Sequence, residues 1–76
     1  MDKKLEEILN GVNPEILEAQ GADLVEEGII DSLAIMQIVS ALEEGYGIEF
    51  DPDDIMPETF ASAAAIEQAL QKYLKA

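Results

Sequence analysis

Apolar residues recur at helical spacing along most of the chain, and no segment keeps the alternation of apolar and polar residues that is typical of a strand. The first predicted helix places four apolar residues on one face: Leu5, Ile8, Leu9 and Val12. Asn13 and Pro14 follow as a cap and a proline suited to a first helical position. The helix therefore restarts or kinks there and continues through Ile16 and Leu17 to about residues 20–21.

The second predicted helix runs from about Ser32 to Glu44 and ends at Gly45 or Gly47. Its core-facing residues follow the helical period in an unbroken series: Ile35, Ile38, Val39, Leu42 and Tyr46. The acidic loop before it, residues 21–30, carries four apolar side chains that we expect to hold the loop against the core: Leu24, Val25, Ile29 and Ile30.

The rest of the chain predicts an extended anchor, one short helical turn and a final helix. Residues 48–50 form the anchor, and residues 51–57 hold the turn between two prolines, with Met56 filling the core. The last helix begins near Ser62 as N-cap and buries five side chains, the tyrosine only half: Ala65, Ile66, Ala69, Leu70 and Tyr73. The predicted fold is all-α, a small bundle of three main helices plus one short helix, in a single domain over residues 1–76.

Charge is distributed very unevenly along the chain. The net charge is −13, and the four lysines are the only basic residues; they lie near the ends, whereas residues 23–58 carry eleven acids. This sign of charge excludes nucleic acid as a partner and disfavours anionic membranes. We expect partner proteins with basic patches, attracted over long range. A merely solvated acidic surface is an equally favoured alternative.

What the sequence lacks excludes or disfavours further kinds of site and segment. The chain has no cysteine, which excludes disulfides and thiolate metal sites. No apolar run reaches the ~20 residues of a membrane span, and the N-terminus lacks the apolar core of a signal peptide. In 76 residues no large cleft is expected, which disfavours acid–base catalysis. We expect a cytoplasmic monomer without membrane insertion and without catalytic residues.

The acidic segment after the second helix does not meet the requirements of a calcium loop. Counted from Asp51, such a loop needs an oxygen ligand, a glycine and a glutamate at the positions that Ile55, Met56 and Ser62 occupy. None of the three residues meets its requirement. No dedicated metal site is predicted. Weak cation binding by the acids of residues 49–54 would relieve their mutual repulsion.

Ser32 stands at the start of the second predicted helix in a chain without histidine, cysteine or arginine. A serine nucleophile needs a neighbouring base, so we expect Ser32 to be modified by another protein and not to catalyse. Free amides and the positive end of the helix dipole would favour a phosphate ester there, and Gly28 would allow its close approach. The alternative is that Asp31 or Ser32 simply caps the helix.

Leu33 lies about 200° around this helix from Ile35, on the face opposite the core. Met36 flanks the same outer face, which continues through Gln37, Ser40 and Glu44. An exposed leucine and methionine beside an exposed serine form a candidate docking patch.

These residues carry a family resemblance. Asp31-Ser32-Leu33 is preceded by Gly28-Ile29-Ile30 and followed by Leu42-Glu43-Glu44 and Gly47-Ile48-Glu49-Phe50. Phe60-Ala61-Ser62 then leads into the last helix. With this spacing, length and acidity, most of the chain resembles the acyl carrier protein family.

The resemblance implies that Ser32 bears a 4′-phosphopantetheine arm. A separate phosphopantetheinyl transferase would move this arm from coenzyme A, and Asp31 would help the transferase to recognise the site. Acyl groups would ride on the terminal thiol of the arm as thioesters, so a chain without cysteine would carry them without being an enzyme. The implied partners are acyl- or aminoacyl-activating and acyl-transferring enzymes with basic patches. The implied docking residues are Leu33, Met36, Gln37, Glu43, Glu44 and Ile55.

The chain also departs from the family pattern. Carriers of fatty acid synthesis usually have acids after the Asp-Ser-Leu and along the outer face of that helix, where this chain has the neutral residues Ala34, Gln37 and Ser40. The Gly-Ile-Ile-Asp-Ser form is closer to D-alanyl and specialised stand-alone carriers. An aminoacyl carrier is therefore one alternative to an acyl carrier of fatty acid, polyketide or related biosynthesis. A separate alternative, of a different class, is an unmodified acidic helical interaction module in which the serine only caps the helix.

Overall fold

The computed structural model describes residues 2–19, 21 and 23–75. Within these ranges the chain forms four α-helices: α1 (Lys3–Val12), α2 (Glu15–Glu18), α3 (Ser32–Tyr46) and α4 (Ala63–Lys75). Two 3₁₀ helices lie between α3 and α4, at Pro52–Asp54 and Pro57–Phe60. The predicted all-α fold with three main helices is confirmed, although two short turns stand where one was expected.

The break between helices α1 and α2 lies at Asn13 and Pro14. Asn13 is extended, with φ −161° and ψ 115°, and its amide ends α1 on the Leu9 carbonyl at 3.0 Å. Pro14 has no amide hydrogen to continue the ladder, so a new helix begins after it. Helix α2 is a single turn that ends at Glu18, earlier than predicted, because Ala19 leaves the helical region with φ −87° and ψ 63°.

The loop between α2 and α3 is held to the core as predicted. Leu24 and Ile30 are buried, and Val25 and Ile29 are half-buried against the same core. The Leu24 amide also donates to the Ala61 carbonyl at 2.7 Å, which ties the loop to the segment before α4.

Helix α3 buries its predicted stripe, with Tyr46 half-buried at the far end and four residues in the core: Ile35, Ile38, Val39 and Leu42. It ends at Gly47, which adopts the left-handed conformation at φ 66° and donates its amide to the Glu43 carbonyl. Near this end α1 approaches closely, because a Cβ at Gly45 would lie 3.3 Å from Cδ1 of Ile8.

The segment between α3 and α4 contributes two aromatic side chains to the core. Phe50 and Phe60 are buried, and the Phe50 ring stacks on Tyr73 with centroids 4.7 Å apart. The prediction that Met56 fills the core is wrong. Its backbone is extended between the two 3₁₀ helices, and its side chain lies exposed while the phenylalanines occupy the interior.

Helix α4 begins at its predicted cap, since Ser62 Oγ accepts the Ala65 amide at 3.0 Å. Ile66, Ala69 and Leu70 are buried as predicted. Ala65 and Tyr73 are half-buried at the edges of this stripe, which confirms the tyrosine and corrects the expectation for Ala65.

Two kinds of feature are absent from the described ranges. No helix there is long and apolar enough to cross a membrane. No three acidic side chains there come together in a way that could hold a metal ion.

Candidate functional site

Asp31, and not Ser32, is the cap of α3. Its backbone is extended, its Oδ1 accepts the Ala34 amide at 2.9 Å, and its carbonyl accepts the Ile35 amide at 2.9 Å. Ser32 is therefore the first helical residue. Its side chain is exposed and makes no hydrogen bond to any residue in the described ranges. The two alternatives from the sequence are thus resolved in favour of Asp31, which leaves the serine hydroxyl free.

The first turn of α3 also has backbone amides that are not bonded within the helix. The amides of Ser32 and Leu33 precede the first carbonyl that could accept them within the helix, and the aspartate cap takes up only the Ala34 amide. The 15-residue helix behind them is about 22 Å long, and its positive end lies at this turn. A phosphate ester on the exposed hydroxyl fits this setting, because donors and dipole both favour an anion.

A single helical turn in the preceding loop places the chain for α3. The Gly28 amide donates to the Val25 carbonyl at 3.1 Å and the Ile29 amide to the Leu24 carbonyl at 2.9 Å. Gly28 has φ 74°, so the pair of bonds forms a Schellman motif with glycine in the left-handed position. A Cβ on Gly28 would touch nothing within 4 Å. The structure therefore explains this glycine by its backbone conformation, whereas the sequence interpretation had assigned it a close approach.

Asn13 attaches this loop to the first two helices. Its Nδ2 donates to the Ile29 carbonyl at 3.0 Å, and its Oδ1 accepts the Glu15 amide at 2.9 Å. The capping role was predicted. The bond to Ile29 was not, because nothing in the local sequence indicates a contact between residues 16 positions apart.

The outer face of α3 is apolar next to the serine. The exposed fraction is 67% for Leu33 and 51% for Met36, which confirms the predicted placement of both. Two large apolar side chains outside α3 are also exposed, Leu74 at 44% and Met56 at 40%, and the exposure of Met56 was not predicted. Along the rest of α3 the outer face carries three exposed polar side chains: Gln37, Ser40 and Glu44.

Two of the predicted docking residues are engaged inside the protein. Glu43 is half-buried, and its Oε2 accepts the Phe50 amide at 2.9 Å, so it closes the turn that follows α3. Ile55 is half-buried against the core. Leu33, Met36, Gln37 and Glu44 are the exposed members of the predicted set.

A lysine contacts α3 at the end far from Ser32. Lys4 donates to the Gly45 carbonyl at 2.8 Å and lies 4.9 Å from the centre of the Tyr46 ring. Tyr46 in turn donates its hydroxyl to Asp2. Burial, followed by this hydrogen bond, raises the pKa of Tyr46 to about 12, and the same bond lowers the pKa of Asp2.

The serine end of the molecule carries exposed acids instead. Asp23, Glu26 and Glu27 lie exposed on the loop, followed by Asp31 at the cap. No lysine occurs between Lys4 and Lys72 in the sequence. A partner that approaches Ser32 therefore meets an acidic surface with an apolar patch.

The chain matches the family model for the phosphopantetheine attachment site over residues 3–70. The chain belongs to this family. Its members carry a covalently attached 4′-phosphopantetheine group, so the protein is a phosphopantetheine-carrying carrier protein. Such carriers are generally non-catalytic and interact with a phosphopantetheinyl transferase and with biosynthetic enzymes. No curated protein and no solved structure matches the carrier protein.

Proposed function

We propose that Ser32 is the attachment residue and that the carrier protein delivers acyl intermediates, as thioesters, to enzymes of fatty acid, polyketide or related biosynthesis. The observation that supports this most strongly is the capping of α3 by Asp31, which leaves an exposed hydroxyl beside unused amides. The chain has two other serines. Ser62 is engaged as the cap of α4, and Ser40 lies within α3, where the amides are already bonded along the helix.

Attachment forms one bond and breaks one. The Ser32 oxygen bonds to the pantetheine-side phosphorus of coenzyme A, and the pyrophosphate linkage breaks to release the nucleotide half. The serine proton goes to a base of the transferase, because this chain has no histidine to accept it. The attached group supplies the thiol that forms thioesters.

The chain's own residues contribute presentation and recognition. Asp31 orients the first turn and adds a negative charge for the transferase to recognise. Leu33 and Met36 offer apolar contact, with Gln37 and Glu44 beside them on the outer face. Glu43 and Ile55 support this surface from within, because both are partly buried.

Intact mass spectrometry tests the attachment. The purified apo-protein is incubated with coenzyme A, Mg²⁺ and a broad-specificity phosphopantetheinyl transferase. We expect a gain of one phosphopantetheinyl group in the wild type and in Ser40→Ala, a matched change of an exposed serine on the same helix. Ser32→Ala should gain nothing. Loading that survives Ser32→Ala would overturn the assignment of the residue, and no loading of any variant would favour the unmodified interaction module.

An aminoacyl cargo is a second candidate. It is favoured by the neutral, exposed Gln37 and Ser40 on the outer face of α3, where carriers of fatty acid synthesis usually have acids. The holo-protein can be offered to an ATP-dependent fatty acyl ligase and to a D-alanine-activating ligase in parallel. Faster thioester formation with the acyl ligase supports the proposal, and faster formation with the D-alanine ligase favours the aminoacyl alternative.

A further inference from the structure

Both the backbone and the side chain of Asn13 donate and accept hydrogen bonds. Its amide donates to the Leu9 carbonyl and its own carbonyl accepts the Ile16 amide, each at 3.0 Å. Its side chain accepts the Glu15 amide through Oδ1 at 2.9 Å and donates to the Ile29 carbonyl through Nδ2 at 3.0 Å. Because one side-chain bond uses the acceptor oxygen and the other uses the donor nitrogen, together they fix the orientation of the amide group.

The accepting carbonyl of Ile29 lies just beyond the Schellman turn. The Ile29 amide is bonded within the turn, to Leu24, whereas its carbonyl accepts a hydrogen bond from the Asn13 side chain. The contact is partly buried, and a carbonyl that loses its partner in such a place is not fully compensated by water.

Only two residues separate Ile29 from Ser32. Ile30 is buried, with 1% of its surface exposed, and Asp31 caps α3. The path of the chain into Ser32 therefore begins at the carbonyl that Asn13 holds. Within residues 2–19, 21 and 23–75, this is the one side-chain hydrogen bond that joins the first two helices to the serine loop.

We propose that Asn13 is a positioning residue for the modification of Ser32. It holds the loop of residues 23–31 in the arrangement that the transferase recognises, although it does not itself touch the reacting atoms. The inference rests on the proposed attachment at Ser32. If the transferase binds only molecules with an anchored loop, its apparent affinity falls in proportion to the fraction that is anchored.

The variant Asn13→Asp isolates the donor. It keeps an oxygen to accept the Glu15 amide, but it replaces the group that donates to Ile29 with another acceptor. Asn10→Asp is the matched control, because Asn10 is exposed on α1 and the substitution adds the same negative charge. Both variants therefore change the net charge of the carrier by the same amount.

The measurement is the steady-state kinetics of Ser32 loading from coenzyme A, at a temperature where circular dichroism shows both variants fully folded. We expect the KM for the carrier to rise at least about twofold in Asn13→Asp relative to Asn10→Asp, because the loss of one hydrogen bond lowers the fraction of molecules with an anchored loop. We expect kcat to be unchanged. Amide exchange should accelerate at Ile29 and Ile30 and stay unchanged at Ile66 and Leu70, in α4.

Equal KM values in the two variants would overturn the inference, whatever happens to kcat. A rise in KM accompanied by equally faster exchange in α4 would also overturn it, because the effect would then be a global loss of stability. If Asn13→Asp does not fold, Asn13→Ser serves in its place, since it keeps an oxygen but lacks the amide donor. A wild type that is not loaded contradicts the proposed function, whereas a loaded wild type with equal KM values contradicts only the role of Asn13.

Discussion

Leu33 is the most exposed large apolar side chain among the described residues, with 67% of its surface accessible. Its neighbour Ile35 is buried in the core. The two differ because the helical period turns them to opposite faces of α3. The buried Ile35 therefore contributes to stability, whereas the exposed Leu33 is available for contact with a partner.

We expect Leu33→Ala to change the free energy of unfolding by less than about 0.5 kcal/mol, because the side chain is in solvent in the free protein. We expect the kcat/KM for loading to fall about tenfold, because the leucine would be buried against the transferase. Urea unfolding and loading kinetics measure the two effects. Leu74→Ala is the matched control, since Leu74 is exposed on α4, and it should leave loading unchanged. A large loss of stability in Leu33→Ala would place the leucine in the core instead.

The Tyr46 hydroxyl should ionise well above the ordinary tyrosine value of 10.0, at about 12, because of burial and of its bond to Asp2. A folded-state pKa above the unfolded one stabilises the protein fully below the unfolded value, and this contribution is lost as pH rises through about 12. Tyr73→Phe leaves Tyr46 as the sole tyrosine, since the chain has two. Ultraviolet titration of that variant, with circular dichroism to verify folding, measures the midpoint.

Asp2→Asn in the same background is the control. It removes the accepting carboxylate, so the Tyr46 pKa should move towards its ordinary value but stay above it, because burial is the larger cause. Equal midpoints in Tyr73→Phe with and without Asp2→Asn would mean that the Asp2–Tyr46 bond does not persist in solution.

Two glycines have opposite effects on the stability of the elements in which they lie. Gly28 occupies the left-handed position of the Schellman turn, with φ 74°. Gly11 lies in α1 with open space around its Cα. One glycine is required by its backbone conformation, and the other weakens a helix by its flexibility.

We expect Gly28→Ala to destabilise the protein by about 1–2 kcal/mol, because an L-residue is strained in the left-handed region. We expect Gly11→Ala to stabilise it by about 0.5–1 kcal/mol, because alanine is the better helix former. Urea unfolding of the two variants, which add the same methyl group, gives the comparison. Equal stability of the two would show that the loop turn is not formed in solution.

At the scale of the whole molecule, self-repulsion is the dominant electrostatic feature. The net charge is −13, and the ion pair in the described part is Lys72 with Asp54, at 3.3 Å. Added salt screens like charges that lie more than about 10 Å apart at 0.1 M. The stability of the protein should therefore depend on ionic strength.

We expect NaCl to raise the melting temperature, and MgCl₂ at matched ionic strength to raise it by the same amount. The sequence predicted weak cation binding by the acids of residues 49–54, but no three acids in the described ranges are arranged to hold a metal. Thermal melts followed by circular dichroism compare the two salts. A clearly larger effect of Mg²⁺ would restore the cation site, and Asp53→Asn, an exposed member of that segment, would then be expected to reduce the difference.

Much of the fold could be predicted because its signals are local. The stripe of α3, the Ser62 cap and the break at Asn13–Pro14 each depend on residues within one or two turns of each other. Met56 was misplaced because its apolar character predicts burial, whereas two phenylalanines from either side of it occupy the core. The bond from the Phe50 amide to Glu43 could not be predicted, because an acid near the end of a helix gives no local sign of such a contact.

The helices, the acidic charge and the exposed position of Leu33 beside Ser32 could be predicted from the chain alone, because periodicity and composition are properties of the chain. Only the packed structure shows which residue caps α3, which acids are free, and how the serine loop is attached. Those features depend on contacts such as Asn13 with Ile29, 16 residues apart. Such a contact exists only once the helices have packed, because packing alone brings a side-chain donor and a distant carbonyl within hydrogen-bonding distance.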